Sequence, residues 1–422
     1  MNKKLLAIAV AGTFLAPAAA LAQSSVTISG KVMASFGQYK VSGRPAGALG
    51  SSSETQVRDE SSRILFSMRE DLGGGLAAIG RFELRFLTSD GGVGGNSGAS
   101  FVGLTSPTWG TISLGQFEFH AGESGSFTGR HGGSQTNPTA IMDVARAGTV
   151  SIANQTRINN AVRYSSPKWG DMFEVVVGYS ANPTSVSNVP VIAATSATNP
   201  TATLTVANQN ENDLRSTVRK GSAWNIAPRL YGKNWEVAYS YWQAKPDVGL
   251  NTLTTSAAGV TSVTTPGSVQ KHRGDTLYGW YQWGGLRAGL AYNKSKVMST
   301  ALTFAAATGN VEGATTTLSE RTAWGIPASY NWGKHTIYMN YNKANGDKAA
   351  LTAAQIAAGG DTKARLFGLT YAYDLSKRTS AAVSYVGIKN GNAATYNLDS
   401  GNAGLAMGED PSSVHVTLQH RY

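Results

Sequence analysis

The chain has 422 residues, 49 glycines, no cysteine and a formal charge of +11. The lack of cysteine excludes disulfide bonds, so the stability has to come from extensive backbone pairing or a large core. Beyond the N-terminal segment no apolar run reaches 18 residues, which excludes a membrane-spanning helix. Two classes remain: a large soluble all-β protein, and a β-barrel whose membrane segments are alternating strands.

The N-terminal segment MNKKLLAIAVAGTFLAPAAALA has the three parts of a secretory signal. Lys3 and Lys4 precede an apolar run that is too short to span a membrane, and small residues follow it. We expect residues 1–22 to be a signal peptide that is removed after Ala22, which lowers the formal charge from +11 to +9. Residues 23–422 show no linker and no change in composition, so we expect them to form one domain.

The segment LAAIGRFELRF at 76–86 alternates with period two, which is typical of a strand. One face carries Phe82, Leu84 and Phe86, and the other carries Arg81, Glu83 and Arg85. An arginine in hydrocarbon costs about 2–4 kcal/mol, so the apolar face is predicted to meet lipid and the charged face a water-filled lumen. The same alternation places further basic residues on the inside: Lys31, Arg63, Arg69, Arg157, Arg163 and Arg229.

Short turns and long loops alternate along the chain. Long segments rich in Ser, Thr, Ala, Asn and Gly separate the turns, for example at 182–213. Seven short turns and eight long loops give sixteen strands, and short turns on one side only are typical of outer-membrane barrels. The predicted turns are EDLGGGL (70–76), SPTWG (106–110), SPKWG (166–170), LYGKNW (230–235), QWGGL (282–286), YNWGKH (330–335) and YDLSKR (373–378).

Five tryptophans lie at or beside these turns. Indole favours the membrane interface, because its body is apolar and its N–H is polar. The tryptophans are therefore predicted to form a ring at one level of a barrel, with the alternative that each closes the end of a sandwich core. They are Trp109, Trp169, Trp235, Trp283 and Trp332.

The last strand, VHVTLQHRY, also alternates, and it ends on Tyr422. In a barrel this strand has to pair with the first one, since a free strand edge in lipid leaves backbone groups without hydrogen bonds. The predicted partner is VTISGKVMASF at 26–36, which is apolar on one face and polar on the other.

The predicted signal peptide, three sequence blocks and the aromatic C-terminal residue resemble those of the trimeric general porins of Gram-negative bacteria, particularly the group that includes the neisserial porins. The blocks are VTISGKV, SSRILFSMREDLGGGLAAIGRFE and FVGLTSPTWGTISLGQ. The resemblance covers the mature chain and departs at two positions. Tyr422 stands where Phe is usual, and Gln116 stands where an arginine usually follows the LG pair, so a basic residue expected near the constriction is missing.

The resemblance implies an all-β fold, a 16-stranded antiparallel transmembrane β-barrel with short periplasmic turns and long extracellular loops. In this family the third long loop folds into the barrel and narrows it, and the segment from Glu118 to about Thr156 matches it in position and length. Glu118, Glu123 and Asp143 are then expected at the constriction. They face a wall that holds Lys31, Arg63, Arg69, Arg81, Glu83 and Arg85.

The function expected from these features is passive diffusion of small hydrophilic solutes and ions through the outer membrane. Basic residues outnumber acidic ones at the expected constriction, so we predict a modest preference for anions. The resemblance also implies a homotrimer that contacts outer-membrane lipid and lipopolysaccharide and is inserted by the barrel-assembly machinery.

Other functions have little support in the sequence. There is no nucleophile elbow, phosphate loop or HExxH motif, so no enzyme activity, metal or cofactor is expected. The basic residues are scattered through strands, which argues against nucleic-acid binding. The alternatives that remain are a substrate-selective channel for small anionic solutes, a barrel acting as a surface hydrolase, and a secreted β-sandwich adhesin or lectin.

Overall fold

The fold is described from a computed structural model of the chain. The described residues are 24–43, 52–92, 98–118, 157–181, 189–190, 206–207, 222–245, 252–255, 261–265, 268–305, 309–347, 351–398 and 405–422. The predicted signal peptide, Glu123 and Asp143 lie outside these ranges, as does nearly all of the third long loop.

Twenty-one strands and one short helix, α1 (Ala353–Ala357), form the described secondary structure. The strands are β1 (Ser25–Ser42), β2 (Ser53–Asp59), β3 (Arg63–Gly73), β4 (Leu76–Arg85), β5 (Ser100–Ser106), β6 (Gly110–Glu118), β7 (Arg157–Ser165), β8 (Phe173–Ser180), β9 (Val189–Pro190), β10 (Val206–Ala207), β11 (Ser222–Tyr231), β12 (Trp235–Lys245), β13 (Thr252–Thr255), β14 (Thr261–Thr265), β15 (Ser268–Trp283), β16 (Leu286–Ala305), β17 (Gly309–Trp332), β18 (His335–Ala344), β19 (Ala364–Asp374), β20 (Thr379–Asn390) and β21 (Asp410–Arg421).

Seventeen of the strands form one closed antiparallel sheet. β2 and β3 pair with successive parts of β1, so they are two halves of one barrel strand and the barrel has sixteen. The barrel closes where β1 pairs with β21, from Lys31 opposite Arg421 to Ser42 opposite Asp410. The predicted strand number and closing pair are therefore confirmed. The remaining strands form two small antiparallel pairs, β9 with β10 and β13 with β14.

The break between β2 and β3 has a local cause. Ser61 adopts a φ of 68°, and the Asp59 carboxylate accepts hydrogen bonds from the backbone N–H groups of Ser61 at 2.8 Å and Ser62 at 3.1 Å. The extra residue of this bulge re-aims the neighbouring side chain. Glu60 is thereby buried and accepts a hydrogen bond from the Ser35 hydroxyl at 2.8 Å.

All seven predicted short turns join consecutive barrel strands at one end of the barrel. The turn between β3 and β4 is built from Gly73, Gly74 and Gly75, whose φ values of 86°, 60° and 81° suit residues without a Cβ. At the other end the connection between β16 and β17 is only 306–308, because the Thr- and Ala-rich sequence on either side pairs with itself and lengthens both strands.

The two faces of each strand differ in polarity. In β4, Phe82 is 38% exposed on the outside and Glu83 is 2% exposed on the inside. In β21, Val416 is 54% exposed and Thr417 is 2% exposed. Apolar side chains thus cover the outer wall and polar ones the inner wall, which is the polarity of a barrel surrounded by lipid.

The tryptophans at the short turns lie at one end of this barrel. Trp109, Trp169, Trp283 and Trp332 are exposed, Trp283 the most at 78%, and Trp235 is half-buried. Their position at the rim of a closed barrel fits the interfacial ring rather than the end of a sandwich core. Within the described residues, no helix is long and apolar enough to cross a membrane.

Candidate functional site

The inner wall at β3 and β4 carries an arginine cluster around one carboxylate. Glu83 forms ion pairs with Arg63 at 3.1 Å, Arg81 at 3.3 Å and Arg85 at 3.1 Å. Positions 81, 83 and 85 share the inner face because strand side chains alternate. Arg63 joins them because it pairs directly with Arg85. One carboxylate therefore balances three guanidinium groups, and the cluster keeps an excess of positive charge.

The backbone of a glycine, Gly98, lies against the side chain of Glu83. A Cβ added at Gly98 would lie 2.2 Å from the Cγ of Glu83, so a larger residue does not fit without movement. Gly98 therefore covers the carboxylate, which explains why Glu83 is buried while its arginine partners keep side-chain exposures of 21–37%.

The cluster continues into a diagonal row of basic residues across four barrel strands. Lys31 in β1 pairs directly with Arg63 on one side and with Arg421 of β21 on the other. Because barrel strands are tilted relative to the barrel axis, directly paired residues on successive strands lie at successive heights along that axis. We call the row formed by Arg421, Lys31, Arg63 and Arg85 the basic stripe. The Lys31 ammonium also donates a hydrogen bond to the Glu60 carbonyl at 3.0 Å.

One predicted wall residue, Arg69, lies apart from the stripe. Arg69 is exposed near the turn at Gly74 and pairs with Ser25 and Ile79. It lies six positions after Arg63, about 20 Å along an extended strand. The structure therefore brings together Lys31, Arg63, Arg81, Glu83 and Arg85, and it leaves Arg69 at the short-turn rim.

Two further predicted arginines have their own partners on the inner wall. The Arg163 guanidinium lies 5.9 Å from the centre of the Phe117 ring. Arg229 lies 3.7 Å from the Glu174 carboxylate, which also accepts a hydrogen bond from Tyr231 at 2.5 Å.

The predicted residues at the third long loop are only partly covered by the structure. Glu118 ends β6 opposite Arg157 in the register. Gln116 pairs with Ser100 and shares the outward alternation of Leu114, so its departure from the family pattern removes no charge from the inner wall.

Several charged residues of the inner wall were missed by the sequence analysis. The alternation of polar and apolar residues in their strands indicates an inward position for each of them. The spacing of the turns does not distinguish them from other polar residues. Arg287 stacks over Trp280 at 3.8 Å, and Glu236 accepts hydrogen bonds from Tyr278 at 2.7 Å and Trp280 at 3.1 Å. The others are Arg58, Arg321 and Arg421.

The inner wall as a whole is basic over the described strands. Its basic residues outnumber its acidic ones, and four of them lie in the basic stripe. The basic residues are Lys31, Arg58, Arg63, Arg69, Arg81, Arg85, Arg163, Arg229, Arg287, Arg321 and Arg421. The acidic residues are Glu54, Glu60, Asp71, Glu83, Glu174, Glu236 and Asp374.

Comparison with known proteins agrees with this geometry. The model of the Gram-negative porin family matches residues 6–297 and 295–393. The major outer membrane protein P.IB of Neisseria gonorrhoeae is 30% identical over 199 residues, which are 44% of this chain and 51% of that protein. The chain thus matches about half the length of this curated relative.

Solved structures share the fold along nearly the whole chain. An anion-selective porin from Comamonas acidovorans has a TM-score of 0.66 at 21% identity, covering 95% of this chain and 100% of that one. The trimer form of OmpT from Vibrio cholerae has a TM-score of 0.56 at 13% identity, covering 94% and 99%. With the closed sixteen-stranded wall and the family match over most of its length, this chain belongs to the Gram-negative porin family of outer-membrane β-barrels.

Proposed function

We propose that the barrel is a water-filled outer-membrane channel for passive diffusion of small hydrophilic solutes and ions, with a modest preference for anions. The observation that carries this proposal is the basic stripe on an inner wall that is basic as a whole. Fixed positive charge raises the local concentration of anions and lowers the barrier to their passage. Residues 1–22 are proposed to be removed on export, and no catalytic role or cofactor is proposed.

The proposed constriction lies between the arginine cluster and the third long loop. Arg63, Arg81, Glu83 and Arg85 would form its wall, and Glu123 and Asp143 of the loop would face them. Opposed charges across a narrow aqueous gap orient polar solutes as they pass.

The alternative is a substrate-selective channel for small anionic solutes. The basic stripe favours both functions, since the same guanidinium groups attract an ion and hold a carboxylate or phosphate. The two differ in saturation: a binding site gives a flux that levels off with solute concentration, whereas a diffusion pore gives a linear one. The Comamonas acidovorans porin is described as anion-selective, which supports anion preference without deciding between the two functions.

The double variant R81S/R85S tests the selectivity in planar bilayers. We expect a larger single-channel conductance and a reversal potential shifted toward cations, because two cluster cations and their volume are lost. The matched control K294S/K296S removes the same charge from the outer wall, where both lysines lie beside Glu320, and should change neither quantity. Unchanged conductance and selectivity in R81S/R85S would contradict the proposed constriction.

We also propose a homotrimer, and the wall height supports it. β5 has seven residues, so at a tilt near 45° it rises only about 17 Å, less than the apolar band of about 25 Å. β16 has 20 residues and spans the band easily. A wall too short to face lipid is better covered by protein, and one related structure is described as a trimer form.

Lipid and lipopolysaccharide are proposed partners of the tall side. Lys343, Arg365 and Lys389 are directly paired neighbours on the outer face of β18, β19 and β20, at the loop end. Among the described residues, Lys343 and Arg365 have no carboxylate within ion-pair distance, and Lys389 pairs with Asp410 at 2.8 Å. We call these three residues the cationic row, which suits the phosphates of lipopolysaccharide. The barrel-assembly machinery is the remaining proposed partner.

A further inference from the structure

Part of the connection between β20 and β21 lies along the inner wall at the loop end. Its described parts are 391–398 and 405–409, and Ala394, Tyr396 and Leu398 are at most 6% exposed. These side chains pack against inward residues of the wall: Ala323, Ala344, Ala364, Leu366, Val386 and Ile388. Small alanines on β17, β18 and β19 leave the room that the segment fills.

Hydrogen bonds hold the segment against two barrel strands, β20 and β1. The Asn390 amide donates to the carbonyls of Tyr396 at 2.9 Å and Glu409 at 2.6 Å, and its oxygen accepts from the Tyr396 N–H at 3.2 Å. On the other side, the Tyr39 hydroxyl of β1 donates to Asn397 at 2.5 Å. The segment therefore bridges inner-wall positions on β20 and β1 and has a defined position.

Tyr396 covers a cation of the inner wall. The Arg321 guanidinium of β17 lies 4.8 Å from the centre of the Tyr396 ring and contacts its hydroxyl. Arg321 is only 3% exposed although its position faces the barrel interior. A cation under an aromatic ring contributes less to the field in the aqueous part of the lumen than an exposed one does.

We infer that residues 391–398 of this connection form a fixed second constriction at the loop end, and that Tyr396 sets selectivity there by masking Arg321 from permeating ions. The inference rests on the proposed channel function. In this arrangement the last long connection narrows the lumen at the loop end, at a different height from the arginine cluster of β3 and β4. Tyr396 is a specificity-determining residue in this arrangement, and Arg321 is the charge it controls.

The test is the conductance and reversal potential of the full-length mature protein in planar bilayers. Tyr396→Ala opens space and uncovers Arg321, so we expect a larger conductance and a shift toward anions. In the double variant Y396A/R321Q the conductance should stay raised while the shift toward anions disappears. Tyr396→Phe keeps the ring over Arg321 and should behave as the native protein does.

A second variant guards against a misfolded Tyr396→Ala. Replacing 391–409 by a short Asn-Gly turn joins β20 to β21 as a plain hairpin and should also raise the conductance. Heat-modifiable mobility on gels identifies folded barrels before recording. Folded variants with native conductance and selectivity would overturn the inference, whereas a native protein that conducts nothing would instead overturn the channel function.

Discussion

Glu83 is the residue on which the electrostatics of the arginine cluster depends. It is buried under Gly98, while Arg63, Arg81 and Arg85 reach it from two strands. Three like charges repel one another at this separation, and the carboxylate offsets that repulsion. The three arginines therefore stay exposed to the lumen, and the net positive charge of the cluster is reduced by one.

Replacing Glu83 with Gln should raise anion preference, because the amide has nearly the same shape and no charge. The reversal potential in a salt gradient should shift toward anions. The free energy of unfolding should fall by about 1–3 kcal/mol, since charged donors lose their acceptor. The matched control is Glu320→Gln, another ion-paired glutamate, which lies on the outer face with Lys296 at 2.9 Å. An equal shift in both variants would show that Glu83 does not act through the lumen.

At the scale of strands, the polarity of the outer face of β18 to β20 changes along the length of the strands. Ile337, Met339 and Leu369 are exposed apolar residues nearer the short-turn end. Tyr341 and Phe367 follow as a directly paired aromatic step. The cationic row lies one outward position beyond them. From the short-turn end toward the loop end, apolar, aromatic and cationic side chains follow one another. This order matches the hydrocarbon, the interface and the lipid phosphates of a membrane.

The triple variant K343Q/R365Q/K389Q tests the cationic row. We expect the purified protein to retain less lipopolysaccharide after detergent washing, measured as organic phosphate per chain, because the phosphates lose three cationic partners. A triple change of the same charge at the short turns, K233Q/K334Q/K377Q, is the control and should retain the native amount. Equal retention by both variants would rule out the row as the binding surface.

For the whole molecule, the uneven wall is the feature with the widest consequence. The strands from β4 to β8 have seven to ten residues, and those from β15 to β17 have 16 to 24. A barrel surrounded only by lipid needs a wall of even height, since unpaired backbone in hydrocarbon costs several kcal/mol for each group. The low side is therefore the expected interface between copies.

Val102→Arg on the low side should convert the proposed trimer to monomers, because a buried unpaired charge at an interface is strongly unfavourable. Val102 is 61% exposed on the outer face of β5 in the isolated chain. Light scattering in detergent measures the mass. The control Leu290→Arg changes an outward residue of the tall side, 58% exposed, and should leave the proposed trimer intact. A Val102→Arg protein that remains three times the mass of the denatured chain would contradict this interface.

Sequence alternation alone determined the strand faces, the seven short turns and the closing pair of β1 with β21. The faces and the turns are local features: side-chain period two assigns each strand residue to a face, and glycine marks six of the seven turns, all except YDLSKR at 373–378. The same reasoning placed Arg81, Glu83 and Arg85 on one face, and the structure agrees.

Only the tertiary structure decided which residues of different strands meet. Arg421 and Lys31 are far apart in the chain, and it is the register across the closing pair that places them side by side in the basic stripe. Alternation fixes a face but not the height, because the tilt and stagger of a closed barrel displace each strand along its neighbour. Tyr396 over Arg321 has the same origin: a long polar connection has no periodic signal, and its position depends on the space that alanines of other strands leave free.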